Sequence, residues 1–176
     1  IPTFVITLRE GVEASLIVRI PADNLPGLLT LGRKRRKRET EREHDRPLHA
    51  HLSEQPAENE ACRDAYGRTP TGLLADAGAL GASFTAIHGT HLDAADVAML
   101  GEAGSCCCVC PTTERDLADG IGRMRPLVDA GVRLAFGSDS HAVIDPFEEA
   151  RAVELDERLA TGERGCPSDR SSVHVR

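Results

Sequence analysis

Aromatic side chains are scarce in this 176-residue chain: four Phe, one Tyr and no Trp, 3% of the total. A core must then be packed from Ala, Leu, Val and Ile, of which the chain has enough, since hydrophobic residues make up 40%. A clean apolar run is also missing. The most apolar segment, residues 1–20, is interrupted by Arg9, Glu10, Glu13 and Arg19, whereas a spanning helix needs about 20 mostly apolar residues. No basic stretch precedes that segment and no small-residue cleavage site closes it, so it does not read as a secretory signal. A disulfide framework is missing too. Four of the six cysteines fall within residues 106–110, and neighbours on an extended strand cannot pair among themselves without distortion. This usage suits a reducing compartment and a cytoplasmic location. Positive charge is short overall, with a net charge of −7. It is also unevenly spread: residues 1–47 carry ten basic and seven acidic side chains, net +3, and the remainder is net −10. An acidic body of this kind is a poor nucleic-acid partner, and none is expected.

What is present falls into unlike parts. Residues 1–20 read as an amphipathic or partly buried helix that Pro21 discourages from continuing. Within them, Arg9-Glu10-Gly11-Val12-Glu13 resembles the R-E-x-x-E motif of the iron permease family, whose carboxylates handle iron inside a transmembrane helix. Charge at membrane depth is costly and usually functional. The resemblance covers only these 20 residues and implies membrane contact there. Residues 21–46 hold Pro21, Pro26, Gly27 and Gly32, then the run Arg33–Arg38 and mixed charges to Arg46. They read as a solvated charged linker.

From Pro47 the texture becomes regular. Strands are expected at Leu48–Ser53, Ser83–His88, Ser105–Cys110 and Val132–Gly137. Helices are expected from Pro56 to Tyr66, from Pro70 to Ala77 behind a Thr69 cap, from Asp93 to Leu100, from Ile121 to Ala130, and from Asp145 through Leu159. Four strands each followed by helix predict parallel βα units, an α/β fold of partial TIM-type (β/α) barrel character. The polar tail from Gly165 to Arg176 reads as disordered. Cys106, Cys108 and Cys110 are expected to share one face of a buried strand as small hydrophobes. Zinc is not expected on them, because alternate strand positions lie about 6.6 Å apart and Zn–S bonds are only about 2.3 Å.

Three strand ends carry chemistry-bearing groups: Pro47-Leu-His-Ala-His-Leu-Ser-Glu-Gln55, Ile87-His-Gly-Thr-His91 and Phe136-Gly-Ser-Asp-Ser-His141. A lone histidine at such a place is ordinarily a satisfied structural residue. Three polar strand ends in one alternating pattern are different, because the C-terminal ends of parallel barrel strands share one mouth.

Residues 47–164 resemble the amidohydrolase superfamily, and within it the formimidoylglutamate deiminases of histidine degradation. The resemblance rests on His49-Ala-His-Leu-Ser-Glu-Gln55, Ala65-Tyr-Gly-Arg68, His88-Gly-Thr-His91, Cys110-Pro-Thr-Thr-Glu114 with Asp119-Gly120, and Gly137-Ser-Asp-Ser-His141. It implies a divalent metal, zinc, held by His51 and Asp139. It implies that Glu54 moves protons, that His88 polarises a small formimino substrate, and that Asp139 also takes a proton from the attacking water. Cys110 to Glu114 would shape the pocket. His91 and His141 match family positions without an assigned role.

The resemblance also implies four earlier strands bearing a His-x-His pair, and residues 1–46 offer no counterpart. The expectation is therefore a metal-dependent hydrolase in truncated or inactive form with an incomplete metal site, able to assemble as a homo-oligomer. The alternatives are a fragment of an iron-permease-type transporter and a non-catalytic fusion fragment.

Overall fold

Helix starts in this chain are set by short-range capping chemistry. The computed structural model describes residues 47–140 and 143–164; the expected N-terminal helix, charged linker and polar tail, with His141 and Cys166, lie outside them. The elements are β1 (Leu48–Leu52), α1 (Pro56–Tyr66), α2 (Pro70–Asp76), β2 (Phe84–His88), α3 (Ala94–Glu102), β3 (Cys106–Val109), α4 (Pro111–Asp116), α5 (Met124–Asp129), β4 (Arg133–Phe136) and α6 (Pro146–Thr161). Thr69 caps α2 by accepting from the Gly72 N–H at 3.0 Å. Asp93 and Asp96 form a reciprocal capping box at α3. Asp145 caps α6 by accepting from the Phe147 and Glu148 N–H groups. Pro56, Pro70, Pro111 and Pro146 each sit at a first helical turn, where a missing N–H costs nothing.

The four strands form one parallel sheet in the order β1-β2-β3-β4. The fold is thus four consecutive βα units of a partial TIM-type barrel. Register aligns Ala50, Ala86, Cys107 and Leu134 in one row and His51, Ile87, Cys108 and Ala135 in the next. The first row belongs to the face covered by helices. There Leu52, Phe84, Ala86, Cys107 and Val109 pack with Leu100, Leu127 and Met124, an almost entirely aliphatic core. The second row belongs to the opposite face, the one that lines the inside of a barrel. Among the described residues no layer covers it, and Cys106, Cys108 and Ala135 there are only partly buried.

Two expectations need correction here. The cysteine run does not bury Cys106 and Cys108: Cys107 and Val109 take the buried positions of β3, and Cys110 is buried beyond the strand end at the start of α4. The strand's two faces are unequal because helices cover only one. The helix expected from Ile121 starts at Met124, because Gly120 (φ +115°) and Gly122 hold the preceding loop out of helical conformation. The short helix α4 was not anticipated.

The unequal faces make the cysteines a chemical probe. The Cys108 thiol is lowered by a hydrogen bond with Cys110, while Cys110 is pushed up by the same bond and by burial. Thiolate character and access together set reactivity. Cys108 is expected to react with a maleimide well before Cys62, Cys107 and Cys110, as read by peptide mass mapping. Equal labelling of Cys107 and Cys108 would contradict the face assignment.

Helix α6 staples the last two units together. Glu149 and Glu157, both buried, lie two turns apart on it. Glu149 accepts from the Thr112 N–H at 3.1 Å and from the Thr112 hydroxyl, at the start of α4. Glu157 accepts from the Met124 N–H at 2.8 Å, at the start of α5. Each carboxylate thus meets the positive end of another helix and satisfies its orphan donors. Glu149→Ala and Glu157→Ala are each expected to cost about 1–3 kcal/mol, since each leaves buried donors unpaired. Urea unfolding followed by circular dichroism checks this; a loss under about 0.5 kcal/mol, the size of an ordinary surface change, would refute it.

Candidate active site

The backbone itself marks one rim of the sheet. Four non-glycine residues among those described have positive φ: Ser53 (+52°), His88 (+69°), Ala118 (+58°) and Asp139 (+43°). Ser53 follows β1, His88 ends β2, Asp139 follows β4, and Ala118 lies in the loop after α4. Left-handed geometry at non-glycine residues costs on the order of 1–3 kcal/mol and persists where the surroundings over-determine it. All four bends lie at the C-terminal ends of strands or in the segments that follow them.

The bends bring three sequence-expected residues together. One ligand atom each from His51, His88 and Asp139 lies within 4.8 Å of the others. The two imidazoles meet edge to face with centroids 5.0 Å apart. Glu54 stands between them, 3.8 Å from His51 Nδ1 and 3.7 Å from His88 Nε2. Asp139 Oδ2 is 3.9 Å from the same His88 Nε2. That nitrogen is buried and has no hydrogen-bond partner, a costly state for a polar atom that a bound group would relieve.

These residues fit a divalent cation. The donors are imidazole and carboxylate, the ordinary zinc set. With metal–ligand bonds of about 2.0–2.2 Å, tetrahedral ligand atoms stand roughly 3.4 Å apart, so the cluster closes on an ion by movements of about 1 Å.

Electrostatics differ between the two rings. Burial lowers the His51 pKa, helped by the neighbouring His88. Burial also works against charge on His88, yet its hydrogen bond to Glu114 and the carboxylates of Glu54, Glu114 and Asp139 outweigh it and raise the pKa.

Sequence reasoning gave Glu114 only a pocket-shaping place. The structure ties its Oε1 to His88 Nδ1 at 3.2 Å and to the Cys110 N–H at 2.8 Å. It therefore orients the ring and leaves Nε2 facing Glu54 and Asp139. The signal available was its position three residues into a Pro-started helix at a strand end. Thr113 was also missed. Its hydroxyl accepts from the Ser140 N–H at 3.1 Å and lies 3.2 Å from the Ser138 carbonyl, pinning the loop that carries Asp139. His91 sits beside the cluster, its Nε2 2.6 Å from the Asp119 carbonyl. His49 is exposed.

The amidohydrolase family matches residues 34–168, most of the chain. The chain belongs to the amidohydrolase family. It is 36% identical over 120 residues to a formimidoylglutamate deiminase of Pseudomonas aeruginosa, covering 68% of this chain and 26% of that protein. It is 32% identical over 137 residues to a 5-methylthioadenosine/S-adenosylhomocysteine deaminase of Halobacterium salinarum, covering 76% of this chain and 32% of that one. A solved adenosine deaminase from Xanthomonas campestris with bound zinc shares the fold, with a TM-score of 0.66 and 24% identity over 82% of this chain and 32% of that one. The chain thus spans between a quarter and a third of the length of the curated relatives it matches. No helix among the described residues is long and apolar enough to cross a membrane.

Proposed function

We propose that the chain carries the metal- and proton-handling part of a hydrolase that releases ammonia from a formimino group, as in formimidoylglutamate. The observation that carries this reading is Glu54 standing 3.7–3.8 Å from both imidazoles of the His51, His88 and Asp139 cluster.

His51 and Asp139 would hold a divalent metal, zinc in the first instance. When bound, zinc would make a water acidic enough to yield hydroxide near neutral pH. Glu54 is partly exposed, so its carboxylate can take a proton from water and hand it to the departing nitrogen. Asp139 accepts a second proton from the same water. His88, with Nδ1 held by Glu114, turns Nε2 toward the substrate and stabilises charge that develops there. The balance is simple: water adds to carbon, the C–N bond breaks, and the nitrogen leaves as ammonia with the transferred protons.

A second reading is an adenosine-type substrate, favoured by the similarity to 5-methylthioadenosine/S-adenosylhomocysteine deaminases. For residues 1–20, the Arg9-Glu10-Gly11-Val12-Glu13 run supports an iron-permease-like segment in contact with a membrane.

The test uses the purified full chain with added zinc and a sensitive ammonia assay over hours, in parallel on formimidoylglutamate and 5-methylthioadenosine. Release from the first that stops in Glu54→Gln supports the proposal. Release only from the second replaces it with the alternative. No release from either, with zinc bound, overturns both.

A further inference from the structure

The thiols at the end of β3 are nucleophiles that the roles above leave unused. Cys107 is sealed on the helix side, its Sγ 3.5 Å from the His88 carbonyl. Cys108 lies on the uncovered inner face and is partly exposed. Cys110 is buried, one residue past the strand end. The Val109 side chain between them turns the other way, into the core. Cys108 and Cys110 therefore stand on one side of the chain, and their thiols are hydrogen-bonded to each other.

The sheet decides which pair can close. Alternate strand positions lie about 6.6 Å apart, near the upper limit of the roughly 4.4–6.8 Å Cα separation that a disulfide spans. Closure must therefore draw one residue inward. Cys106 and Cys108 flank Cys107, and all three are laddered to β2 on one side and to β4 on the other. Shortening that stretch would break pairing on both sides. Cys110 lies beyond the last ladder pair, Val109 with Phe136. Its backbone (φ −129°, ψ 67°) already leaves the strand for α4, so it can move without disturbing the ladder.

We propose that Cys108 and Cys110 form a reversible redox site, in which a small hydroperoxide oxidises Cys108, Cys110 closes the disulfide, and closure loosens the support of His88. The Cys108 sulfur attacks one peroxide oxygen and the O–O bond breaks. That oxygen stays as a sulfenic acid, and the other leaves with the thiol proton as water or an alcohol. The Cys110 sulfur then displaces the sulfenic oxygen, which leaves as water with the Cys110 proton. The two thiols lose two hydrogens and two electrons, and the peroxide takes them up. A disulfide at a strained spacing is easily reduced, so a dithiol reverses the step. The consequence travels through one carboxylate oxygen. Glu114 Oε1 holds the Cys110 N–H at 2.8 Å and His88 Nδ1 at 3.2 Å. When Cys110 is drawn toward Cys108, that oxygen cannot keep both partners at these distances. The site lies beyond the proposed ammonia-releasing reaction and does not depend on it.

The test treats the zinc-free full chain with hydrogen peroxide and maps it without reduction by mass spectrometry. The tryptic peptide 69–115, which holds Cys106, Cys107, Cys108 and Cys110, is expected to lose the mass of two hydrogens and to regain it with dithiothreitol. Cys106→Ser should keep this loss. Cys108→Ser and Cys110→Ser should each abolish it, the partly exposed Cys108 serving if the buried Cys110 variant fails to fold. In the ¹⁵N-labelled chain, oxidation is expected to speed amide exchange at Cys110 at least about tenfold and to shift the His88 ring signals, while those of the exposed His49 stay in place. A peptide that only gains oxygen, a loss that survives in Cys108→Ser, or one abolished in Cys106→Ser would overturn the thiol pair. A disulfide that forms while Cys110 exchange and the His88 signals stay unchanged would overturn the link to the site.

Discussion

Zinc affinity is expected to fall by about 100-fold or more in His51→Ala. His51 lies on β1, supported by a full parallel ladder to β2, and its ring is one of three donors within 4.8 Å. Among the described residues this small donor set has no spare member to take the place of a lost one. The lowered proton affinity of His51 also keeps the ring neutral and ready to ligate near pH 7. Glu114→Gln should act more weakly, by about 10-fold, at the low end of what loss of a residue orienting a metal-site histidine costs. The amide can still meet His88 Nδ1, but its charge is gone and the Cys110 N–H depends on the retained oxygen. Competition with a chromophoric chelator reads both. Equal affinity in the parent and His51→Ala would remove the metal from this cluster.

The sequence made the sheet legible because its signals are local. Thr69-Pro70, Asp93 and Asp145-Pro146 announce helices through bonds spanning two or three residues. The strands between them follow from what is left. His51, His88 and Asp139 were legible for a related reason: parallel βα units force strand ends to one rim. What escaped depends on distance along the chain. The role of Glu114 appears only when α4 swings it under a histidine 26 residues earlier. The caps made by Glu149 and Glu157 reach back more than 30 residues. The cysteine run illustrates a different limit. Alternation told which of its members share a face, but only the helices determine which face is buried.

Turnover by this chain on formimidoylglutamate is expected to stay at least about 1,000-fold below the ordinary enzyme rate of about 10 s⁻¹. The described residues build one wall of the site. Among the described residues the inner face of the sheet is uncovered, Asp139 is exposed and His51 only half-buried, so bulk water reaches the groups that should work in its absence. Screening by that water weakens each electrostatic contact several-fold relative to a closed pocket. Positioning suffers more. Holding reactants in line can supply about 7–11 kcal/mol of a barrier, and a substrate gripped from one side keeps much of its freedom. The donor count adds a conflict. A catalytic zinc site commonly uses three protein ligands plus water. If His88 closes on the ion as the third, its Nε2 is lost to the substrate; if it does not, the described residues hold the ion by two. Single-turnover ammonia release with saturating zinc measures the rate directly. A value near 10 s⁻¹ that vanishes in His51→Ala would refute the argument. It would require a second wall and a further donor, and cross-linking together with sedimentation would then show whether another copy of the chain provides them.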